Sequence, residues 1–405
     1  MIGGTYEPAV LGEMSAKYSS AVDVPACVLQ WKMIEGLCDQ EQVRVHLINE
    51  RRVPLFPAAD VLVVPPADWM CELVSSARHF GFVNLPVIKR LSKAVGVLAE
   101  VRRWCRSTVG GEKALLVYSL HTPYLIASTI GAMASGAPQF LVIPDLPRYM
   151  DLRTHGVLRR AMKRIDAVLQ SVLLRRVDGF ILLSRHMAEI YGVPESQFMV
   201  LEGIADSRID RVSAPETDRS ANYILYTGAL NERYGIGTLI EAFAACEDVG
   251  ELWICGDGDA RGLVEEACST NDRIKYFGQL PRERVLEMQS QATLLVNPRD
   301  SRDEFTRYSF PSKTMEYMQS GIPLLMSRLG GIPEDYADYY WCVADDSVDA
   351  WAAALMAITA LTEAERREFG ERARDFISTR KTPRVQMGRV VHFISDRTSP
   401  AADEG

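Results

Sequence analysis

Lys313 and Glu316 are the residues of this sequence whose types and spacing best suit the binding of a charged ligand. They follow Pro311, a residue tolerated at the start of a helix because its missing N–H would be unpaired there anyway, and Ser309 is predicted to cap that helix. Residues three apart share one helix face, and a helix N-terminus beside a lysine attracts anions. The plain alternative is a surface ion pair worth about 0.2–0.5 kcal/mol.

The chemistry that fits this pair is the binding of a nucleoside-diphosphate sugar. Backbone N–H groups and a lysine would neutralise a diphosphate, while a carboxylate accepts hydrogen bonds from ribose hydroxyls. A predicted strand over 293–296 ends at Asn297-Pro298, a turn signal, and leads into the helix. Gly321 is typical of the position just past a helix end, and a strand is predicted over 322–326.

Composition restricts the class of protein. A chain of 405 residues is long enough for two or three domains, and 47% hydrophobic with 24% charged residues is typical of a globular protein. The eight cysteines are scattered without a CxxC pair or a histidine cluster, which favours a reduced cytoplasmic protein without structural zinc. The sequence shows no signal-peptide pattern and no apolar run of membrane-span length, so we expect neither export nor integration.

The charge is unevenly distributed along the chain. Residues 1–205 carry 22 basic and 19 acidic side chains, a net charge of +3. Residues 206–405 carry 23 and 34, a net charge of −11, so the whole chain has a net charge of −8. An acidic protein without interleaved basic and aromatic residues is a poor binder of nucleic acid. We therefore expect no nucleic-acid partner.

Predicted strands and helices alternate through most of the chain, which is typical of doubly wound parallel sheets. In the first half, strands are predicted over 43–47, 114–118, 139–143 and 179–183, and helices over 30–37, 87–106, 127–135 and 157–174. In the second half, strands are predicted over 223–227, 252–255, 274–277 and 341–343, and helices over 348–360, 363–378 and 384–394.

Functional side chains of such sheets collect at the carboxyl ends of the strands. His121 and Asp145 follow two strands of the first half, although a lone histidine there is more often an ordinary turn residue. Gly228 directly follows strand 223–227, where a glycine allows a ligand to approach the backbone. Gly256-x-Gly258 alone suggests a dinucleotide fingerprint, but the next strand does not end in the acid which that motif requires.

The central run resembles the donor-site signature of family 4 retaining glycosyltransferases, in particular a branch that builds bacterial exopolysaccharide, capsule or O-antigen. The matching residues are Asn297-Pro298-Arg299, Tyr308-Ser309-Phe310-Pro311-Ser312-Lys313, Glu316-Tyr317-Met318 and Gly321-Ile322-Pro323. The resemblance is strong from 223 to 336 and thin before 140. It implies an α/β GT-B fold, in which two Rossmann-like doubly wound domains face each other across a cleft.

The resemblance also implies roles for single residues. Glu316 would hold the ribose, Arg233 and Lys313 would bind the diphosphate and stabilise it as it leaves, and Asp145 and His121 would lie near the reacting sugar. Together, the residues implied to contact the nucleotide are Gly228, Arg233, Gly256, Gly278, Leu280, Tyr308, Ser309, Lys313 and Glu316. Gly278 and Leu280 belong to a turn that resembles the base-binding turn of the family.

The sequence departs from the family pattern in its loops. Tyr308 stands where the family has a glutamate that contacts the donor sugar, and Glu304 is a nearby candidate to replace it. Ala229 and Tyr234 stand where the family has two basic residues in the loop that contains Arg233. Gly3-Gly4 resembles the glycine loop after the family's first strand, yet almost nothing precedes it, so we expect that strand to be missing or the start site misassigned. A flexible terminus is the alternative.

These features predict a domain plan. Residues 1–204 would form the acceptor-binding domain, 205–222 a linker, and 223–380 the nucleotide-sugar-binding domain. Residues 381–397 would form a helix that packs back on the first domain, and 398–405 a disordered tail.

The predicted function is transfer of a hexose from a nucleoside-diphosphate sugar to a glycan or polyprenyl-diphosphate-linked acceptor, with retention at the anomeric carbon. The resemblance implies that no cofactor and no metal is needed. A GT-B sugar-nucleotide epimerase shares the same kind of site, although the donor-site run argues against it. A non-catalytic nucleotide-sugar-binding subunit is the alternative from another class, because Tyr308 and Ala229 replace expected polar groups.

A basic amphipathic stretch predicts contact with an anionic membrane surface. Residues 148–176 contain Arg148, Arg153, Arg159, Arg160, Lys163, Arg164, Arg175 and Arg176 among apolar residues at helical spacing. Such a helix can lie on anionic lipid, so we expect a cytoplasmic protein peripherally bound to the inner membrane face. A helix packed on the core with its cations in water is the alternative.

Overall fold

The chain consists of two units, each with its own sheet. The computed structural model describes residues 1–18, 21–107, 111–146, 157–206 and 222–398, without the side chains of 157–162. One unit is Met1–Leu201 together with the segment from Pro383 onward, and the other is Glu202–Thr382. The predicted linker and the predicted tail lie almost entirely outside the described residues and stay predictions.

The first unit contains an eight-stranded sheet with helices around it. Its strands are β1 (Ile2–Gly3), β2 (His46–Asn49), β3 (Val63–Val64), β4 (Ala67–Asp68), β5 (Ser76–His79), β6 (Phe82–Val83), β7 (Leu115–Tyr118), β8 (Gln139–Ile143), β9 (Gly179–Leu182) and β10 (Phe198–Val200). Its helices up to residue 201 are α1 (Pro8–Lys17), α2 (Val24–Cys38), α3 (Ile88–Ser107), α4 (Thr122–Ser135), α5 (Val157–Leu174) and α6 (His186–Tyr191). The strand order is β10-β9-β8-β7-β1-β2-β5-β4, parallel except for β4, while β3 and β6 form a separate antiparallel pair.

The expectation that the first strand is missing is wrong. β1 is only two residues long, yet it lies in the middle of the sheet, where Ile2 pairs with Ile48 on one side and Val117 on the other. Ile2 is fully buried. Two parallel neighbours satisfy the backbone of this short strand. Gly3 is its last residue and Gly4 directly follows it at the centre of the sheet.

The second unit contains a fully parallel six-stranded sheet. Its strands are β11 (Tyr223–Thr227), β12 (Glu251–Cys255), β13 (Ile274–Tyr276), β14 (Leu294–Asn297), β15 (Leu324–Met326) and β16 (Trp341–Cys342). Its helices are α7 (Ile236–Ala244), α8 (Arg261–Thr270), α9 (Arg282–Gln291), α10 (Ser312–Gln319), α11 (Val348–Thr359) and α12 (Glu363–Arg380), and the chain ends with α13 (Pro383–Thr398), which belongs to the first unit. The order β13-β12-β11-β14-β15-β16 reverses direction between β11 and β14. Ligands of open α/β sheets bind at the carboxyl ends of the strands at such a reversal.

Several predicted boundaries shift for local reasons. β8, α5 and β11 occupy their predicted ranges, whereas β2 begins three residues later than predicted. The helix predicted from 127 begins at Thr122, because Pro123 fits its first turn. α1 was not predicted. None of the helices in the described ranges is long and apolar enough to cross a bilayer.

The predicted cap of α10 is wrong. The helix begins at Ser312, with Pro311 at the N-cap position. The hydroxyl of Ser309 instead donates to the carbonyl oxygen of Phe305 at 3.1 Å. The Ser309 side chain therefore bonds back to the preceding 3₁₀ turn, Glu304–Arg307, rather than to the helix.

A close backbone contact joins two loops of the second unit at the reversal. Gly235 has φ +75°, and a Cβ there would lie 1.8 Å from the carbonyl oxygen of Pro298. Only glycine allows both the left-handed conformation and this approach. The loop after β11 can therefore lie directly against the residues that follow β14.

We predict that Gly235→Ala destabilises the second unit by more than the left-handed conformation alone costs. Gly278 is the matched control, since its φ is +65° but an added Cβ would meet nothing within 4 Å. Gly278→Ala should cost about 1–2 kcal/mol, and Gly235→Ala clearly more because the carbonyl of Pro298 must also move. Urea unfolding followed by tryptophan fluorescence measures both. Equal losses in the free energy of unfolding of the two variants would contradict a tight contact between Gly235 and the carbonyl of Pro298.

Candidate nucleotide-sugar site

Three of the predicted glycines meet at the carboxyl edge of the second sheet. Gly256 has φ +141°, and a Cβ there would lie 1.8 Å from the carbonyl oxygen of Gly228. The N–H of Gly256 donates to the carbonyl of Gly278 at 2.8 Å, and that of Gly228 donates to the carbonyl of Cys255 at 3.0 Å. The turns after β11, β12 and β13 are thus in contact. The turn after β12 packs against the turn after β11, and only a glycine at position 256 allows this contact. The presence of Gly256 therefore does not require a dinucleotide-binding motif.

Glu316 lies on α10 in a largely buried position with basic and amide side chains around it. Its side chain is 14% exposed, and its Oε1 accepts hydrogen bonds from Lys313 Nζ at 2.6 Å and from Gln289 Nε2 at 2.9 Å. Arg282 lies 3.7 Å from Oε2. The predicted pairing of Lys313 and Glu316 is therefore present, but its carboxylate is not on the open surface. A ligand that takes Lys313 must compete with Glu316 for it.

The ionised form of Glu316 is stabilised despite its burial. Burial by itself raises the pKa of this carboxyl, but the charge of Lys313, the hydrogen bonds from Lys313 and Gln289, and the charge of Arg282 together lower it below the ordinary value. Glu316 is therefore a carboxylate at neutral pH. A carboxylate can accept hydrogen bonds from vicinal hydroxyls such as those of a ribose.

A buried hydrogen-bond network fixes α10 and α9 to the end of β11. The hydroxyl of Tyr317 accepts from the N–H of Thr227 and donates to its carbonyl, both at 2.8 Å. Gln289 Nε2 donates to Thr227 Oγ1 at 3.0 Å as well as to Glu316. Gln289 was missed by the sequence analysis, since nothing in the pattern of α9 distinguishes this glutamine from a surface residue. It is in fact fully buried.

The loop residues of the second unit are only partly as predicted. Arg233 is exposed, with its guanidinium 4.9 Å from the centre of the Phe305 ring. Tyr234, at a position where a basic residue was expected, packs under the guanidinium of Arg299 at 4.2 Å. Arg299 follows β14 and was not assigned a role by the sequence analysis. It nevertheless lies just after the carboxyl end of a parallel strand, where functional side chains are expected.

The remaining predicted nucleotide contacts have different environments. Tyr308 is buried, at 8% exposure, whereas Glu304 is exposed in the 3₁₀ turn Glu304–Arg307. Leu280 packs against the core cluster on one face of the sheet. Which of Tyr308 and Glu304 replaces the family's sugar-binding glutamate stays open, and Arg233, Leu280, Tyr308 and Ser309 stay predictions as ligand contacts.

In the first unit, His121 and Asp145 follow the neighbouring strands β7 and β8, as predicted. Burial lowers the pKa of His121 to about 4, so its imidazole is neutral at pH 7. Its Nδ1 is buried without a hydrogen-bond partner in the described part of the chain. Desolvation by the surrounding protein, together with the charge of Asp23, raises the pKa of Asp145 to about 6. Asp145 is therefore mostly ionised at pH 7. The catalytic roles of both residues stay predictions.

A buried ion pair beside His121 was missed by the sequence analysis. Lys93 Nζ contacts Glu50 Oε1 at 2.5 Å, the hydroxyl of Tyr124 donates to Glu50 Oε2, and both charged residues are 7% exposed. Burial raises the pKa of Glu50. The charge of Lys93, the charge that His121 carries when it is protonated, and the hydrogen bonds from Lys93 and Tyr124 together lower it below the ordinary value. Glu50 directly follows β2, at the carboxyl end of a parallel strand where functional side chains are expected. The sequence analysis missed it because the strand was predicted to end at residue 47.

We predict that Glu316→Ala weakens the binding of a nucleoside diphosphate by about 1.5–3 kcal/mol, the range for hydrogen bonds to a charged group. Calorimetric titration with UDP, ADP and GDP measures this. Glu287→Ala is a matched control, because Glu287 forms the same i,i+3 pair with Arg284 on an exposed helix face. Unchanged affinity in a folded Glu316→Ala protein would remove Glu316 from the site.

The second unit matches a known enzyme family. Residues 209–376 match the family model described as "Glycosyl transferases group 1". A curated relative, the amylovoran biosynthesis glycosyltransferase AmsK of Erwinia amylovora, is 27% identical over 144 residues, which are 34% of this chain and 35% of the relative. The match thus spans about a third of that relative's length.

Solved structures resemble the whole chain at low sequence identity. HepE of Anabaena in complex with UDP has a TM-score of 0.63 at 13% identity, covering 98% of each chain. The lipopolysaccharide outer core galactosyltransferase WaaB has a TM-score of 0.61 at 13% identity, covering 98% of each chain. Sucrose-phosphate synthase of Thermosynechococcus elongatus has a TM-score of 0.61 at 18% identity, covering 98% of this chain and 99% of that protein. These similarities show the fold, which is GT-B with two Rossmann-like domains.

Proposed function

We propose that this chain, whose second unit carries a group 1 glycosyltransferase domain, is a retaining hexosyltransferase. It would move a hexose from a nucleoside-diphosphate sugar to a glycan or lipid-linked glycan in surface polysaccharide biosynthesis. The observation that carries the proposal is Glu316 with Lys313 on α10, fixed beside the point where the strand order of that domain reverses. Supporting it, HepE has been solved with UDP and with UDP-glucose, and AmsK is named for amylovoran biosynthesis.

The charges of the second unit suit the departure of a diphosphate. Glu316 would bind the ribose through its carboxylate, while Lys313 would exchange part of its pairing with Glu316 for the diphosphate. Developing negative charge is stabilised best by donors that are already in place before the reaction. The N-terminus of α10 and the exposed Arg233 would add such donors. The proposal assigns no step to a metal ion, and independence from metal stays a prediction.

The first unit would supply the groups near the reacting sugar. His121, neutral at pH 7, suits a hydrogen bond to a sugar hydroxyl rather than neutralisation of charge. Asp145, ionised above a pKa of about 6, suits stabilisation of the positive charge that develops on a glycosyl centre. Glu50 and Lys93 would keep the surroundings of His121 fixed.

We predict that the purified protein converts a nucleoside-diphosphate hexose to a glycoside of the same anomeric configuration. UDP-glucose, UDP-galactose, GDP-mannose and ADP-glucose should be screened first by thermal stabilisation, since a ligand at 100 times its Kd adds about 2.7 kcal/mol. Turnover with polyprenyl-diphosphate-linked acceptors, followed by NMR of the anomeric proton, then tests the reaction. Interconversion of two nucleotide sugars without acceptor would indicate an epimerase. Binding without turnover would indicate a binding subunit.

We also propose that the first unit contacts an anionic membrane through α3 and α5. Both helices expose apolar side chains: Leu91 and Val95 on α3 are 69% and 68% exposed, and Ile165 and Val168 on α5 are 70% and 65% exposed. The two helices are adjacent, since Arg90 NH1 lies 3.7 Å from Asp166 Oδ2.

The exposed charges elsewhere on these two helices are predominantly basic. On α5 they are Lys163 and Arg164, and on α3 they are Arg102, Arg103 and Arg106, while the carboxylate of Glu100 is buried against Arg78 and Arg103. Apolar area together with cations fits an anionic lipid surface. Arg148 and Arg153 lie outside the described residues, and the side chains of Arg159 and Arg160 are not described.

We predict cosedimentation with vesicles that contain phosphatidylglycerol, but not with pure phosphatidylcholine. Replacing Lys163 and Arg164 by Ser should weaken this binding, because each cation near the lipid contributes about 1 kcal/mol, and high salt should do the same. Replacing Arg261 and Arg284 by Ser removes the same charge from exposed helices of the second unit and should change nothing. Equal binding to both vesicles, or to neither, would contradict the proposal.

A further inference from the structure

Arg299 is placed where a ligand of the second sheet would lie. It follows β14 by two residues, and β14 pairs with β11 at the reversal of strand order. Its guanidinium carbon lies 4.2 Å from the centre of the Tyr234 ring and 5.9 Å from that of Phe305. The contact between Gly235 and Pro298 fixes the backbone on both sides of this stack. Tyr234 and Pro298 therefore hold the guanidinium at the loop that follows β11.

The charge of Arg299 is not neutralised by a carboxylate in the described part of the chain. Burial lowers the pKa of its guanidinium, and the nearby hydroxyls of Tyr234, Tyr226 and Tyr317 offset this only in part. No hydrogen bond or ion pair of its guanidinium is found among the described residues. A desolvated cation without a counter-ion is costly, so this position is best understood if an anion completes it.

Several other arginines of the second unit are paired with carboxylates, in contrast to Arg299. Arg261 also lies near an aromatic ring, 6.0 Å from that of Tyr276, but its guanidinium is paired with Glu265 at 2.7 Å. Arg282, Arg284, Arg302, Arg328 and Arg367 are likewise each paired with a carboxylate. Arg299 differs from these arginines in lacking a carboxylate partner among the described residues. It also differs from the partly buried Arg273, which stacks on Phe243 but donates to the carbonyl of Cys246 at 2.9 Å.

The surroundings of Arg299 fit a phosphate rather than a carboxylate of the protein. The turn after β11 is formed by Gly228 and Ala229, which carry no charge. The hydroxyl of Tyr226 donates to the carbonyl of Ala229 at 2.8 Å and so fixes that turn. Arg233, on the same Phe305 ring at 4.9 Å, brings a second guanidinium to the loop. Two guanidinium groups beside a small-residue turn suit a group with two charged phosphates.

We propose that Arg299 binds the diphosphate of the donor nucleotide directly and stabilises it as the leaving group. The proposal rests on the proposed function for the identity of the ligand. It adds a residue to that site, so that Glu316 would bind the ribose and Arg299 would bind the phosphates. Lys313, which is engaged with Glu316, then contributes only after exchanging its partner.

The test compares ligands with and without the diphosphate. Binding of UDP, ADP, GDP and inorganic pyrophosphate, and of the matching nucleosides, is measured by calorimetry for the wild type, Arg299→Gln, Arg299→Lys and Arg261→Gln. We expect Arg299→Gln to weaken diphosphate binding at least tenfold while nucleoside binding changes less than twofold. Arg299→Lys should recover part of the loss, since it keeps the charge but not the planar group. Arg261→Gln should bind like the wild type.

The outcomes separate this proposal from the proposed function. Wild-type binding of a nucleoside diphosphate that Arg299→Gln leaves unchanged, in a protein with wild-type thermal stability, overturns the role of Arg299 and leaves the glycosyltransferase proposal standing. Equal losses for nucleoside and diphosphate would make Arg299 a structural support of Tyr234 and also overturn it. Wild-type binding of neither a nucleoside diphosphate nor pyrophosphate would overturn both proposals. A purely stacking role predicts no recovery in Arg299→Lys.

Discussion

The interaction on which the second unit depends is the pair of hydrogen bonds between the Tyr317 hydroxyl and the backbone of Thr227. Thr227 is the last residue of β11, and Tyr317 lies on α10 next to Glu316. Because both bonds are buried, losing them would leave polar backbone groups unpaired. The tyrosine therefore fixes the distance between the helix and the end of the central strand. That distance decides where the carboxylate of Glu316 lies relative to the turn at Gly228.

Around this anchor, the unit separates two kinds of charge. Glu316 is surrounded by Lys313, Gln289 and Arg282 and remains ionised although it is largely buried. Arg299, by contrast, is desolvated without a carboxylate among the described residues. A paired buried charge is stable in the absence of ligand, whereas an unpaired one gains most from a ligand of opposite charge. The two residues are thus prepared in different ways for the two halves of a nucleotide.

The first unit solves a similar problem with a different arrangement. Its strand order reverses between β1 and β7, so Gly3-Gly4 and His121 lie at the corresponding position of the first sheet. There the buried charge is fully paired within the protein, as Glu50 with Lys93 and Tyr124. The other groups there are the uncharged His121, whose Nδ1 has no hydrogen-bond partner among the described residues, and Asp145, whose pKa is raised to about 6. Such a surface suits hydroxyl-rich ligands better than phosphates.

Sequence alone determined the features that depend on local pattern. Parallel strands buried on both faces read as continuous apolar runs, so β8 and β11 were placed correctly, and helical spacing placed Lys313 and Glu316 on one face. The tertiary structure decided whatever depends on contacts between distant residues. The two-residue β1 exists only because β2 and β7 flank it. The hydroxyl of Ser309 donates to the carbonyl of Phe305 instead of capping α10, and Gln289 and Glu50 are buried by elements far away in the chain. Desolvation and the pairing of charges are properties of the folded environment. For that reason no sequence pattern around Arg299 could reveal that it lacks a carboxylate partner among the described residues.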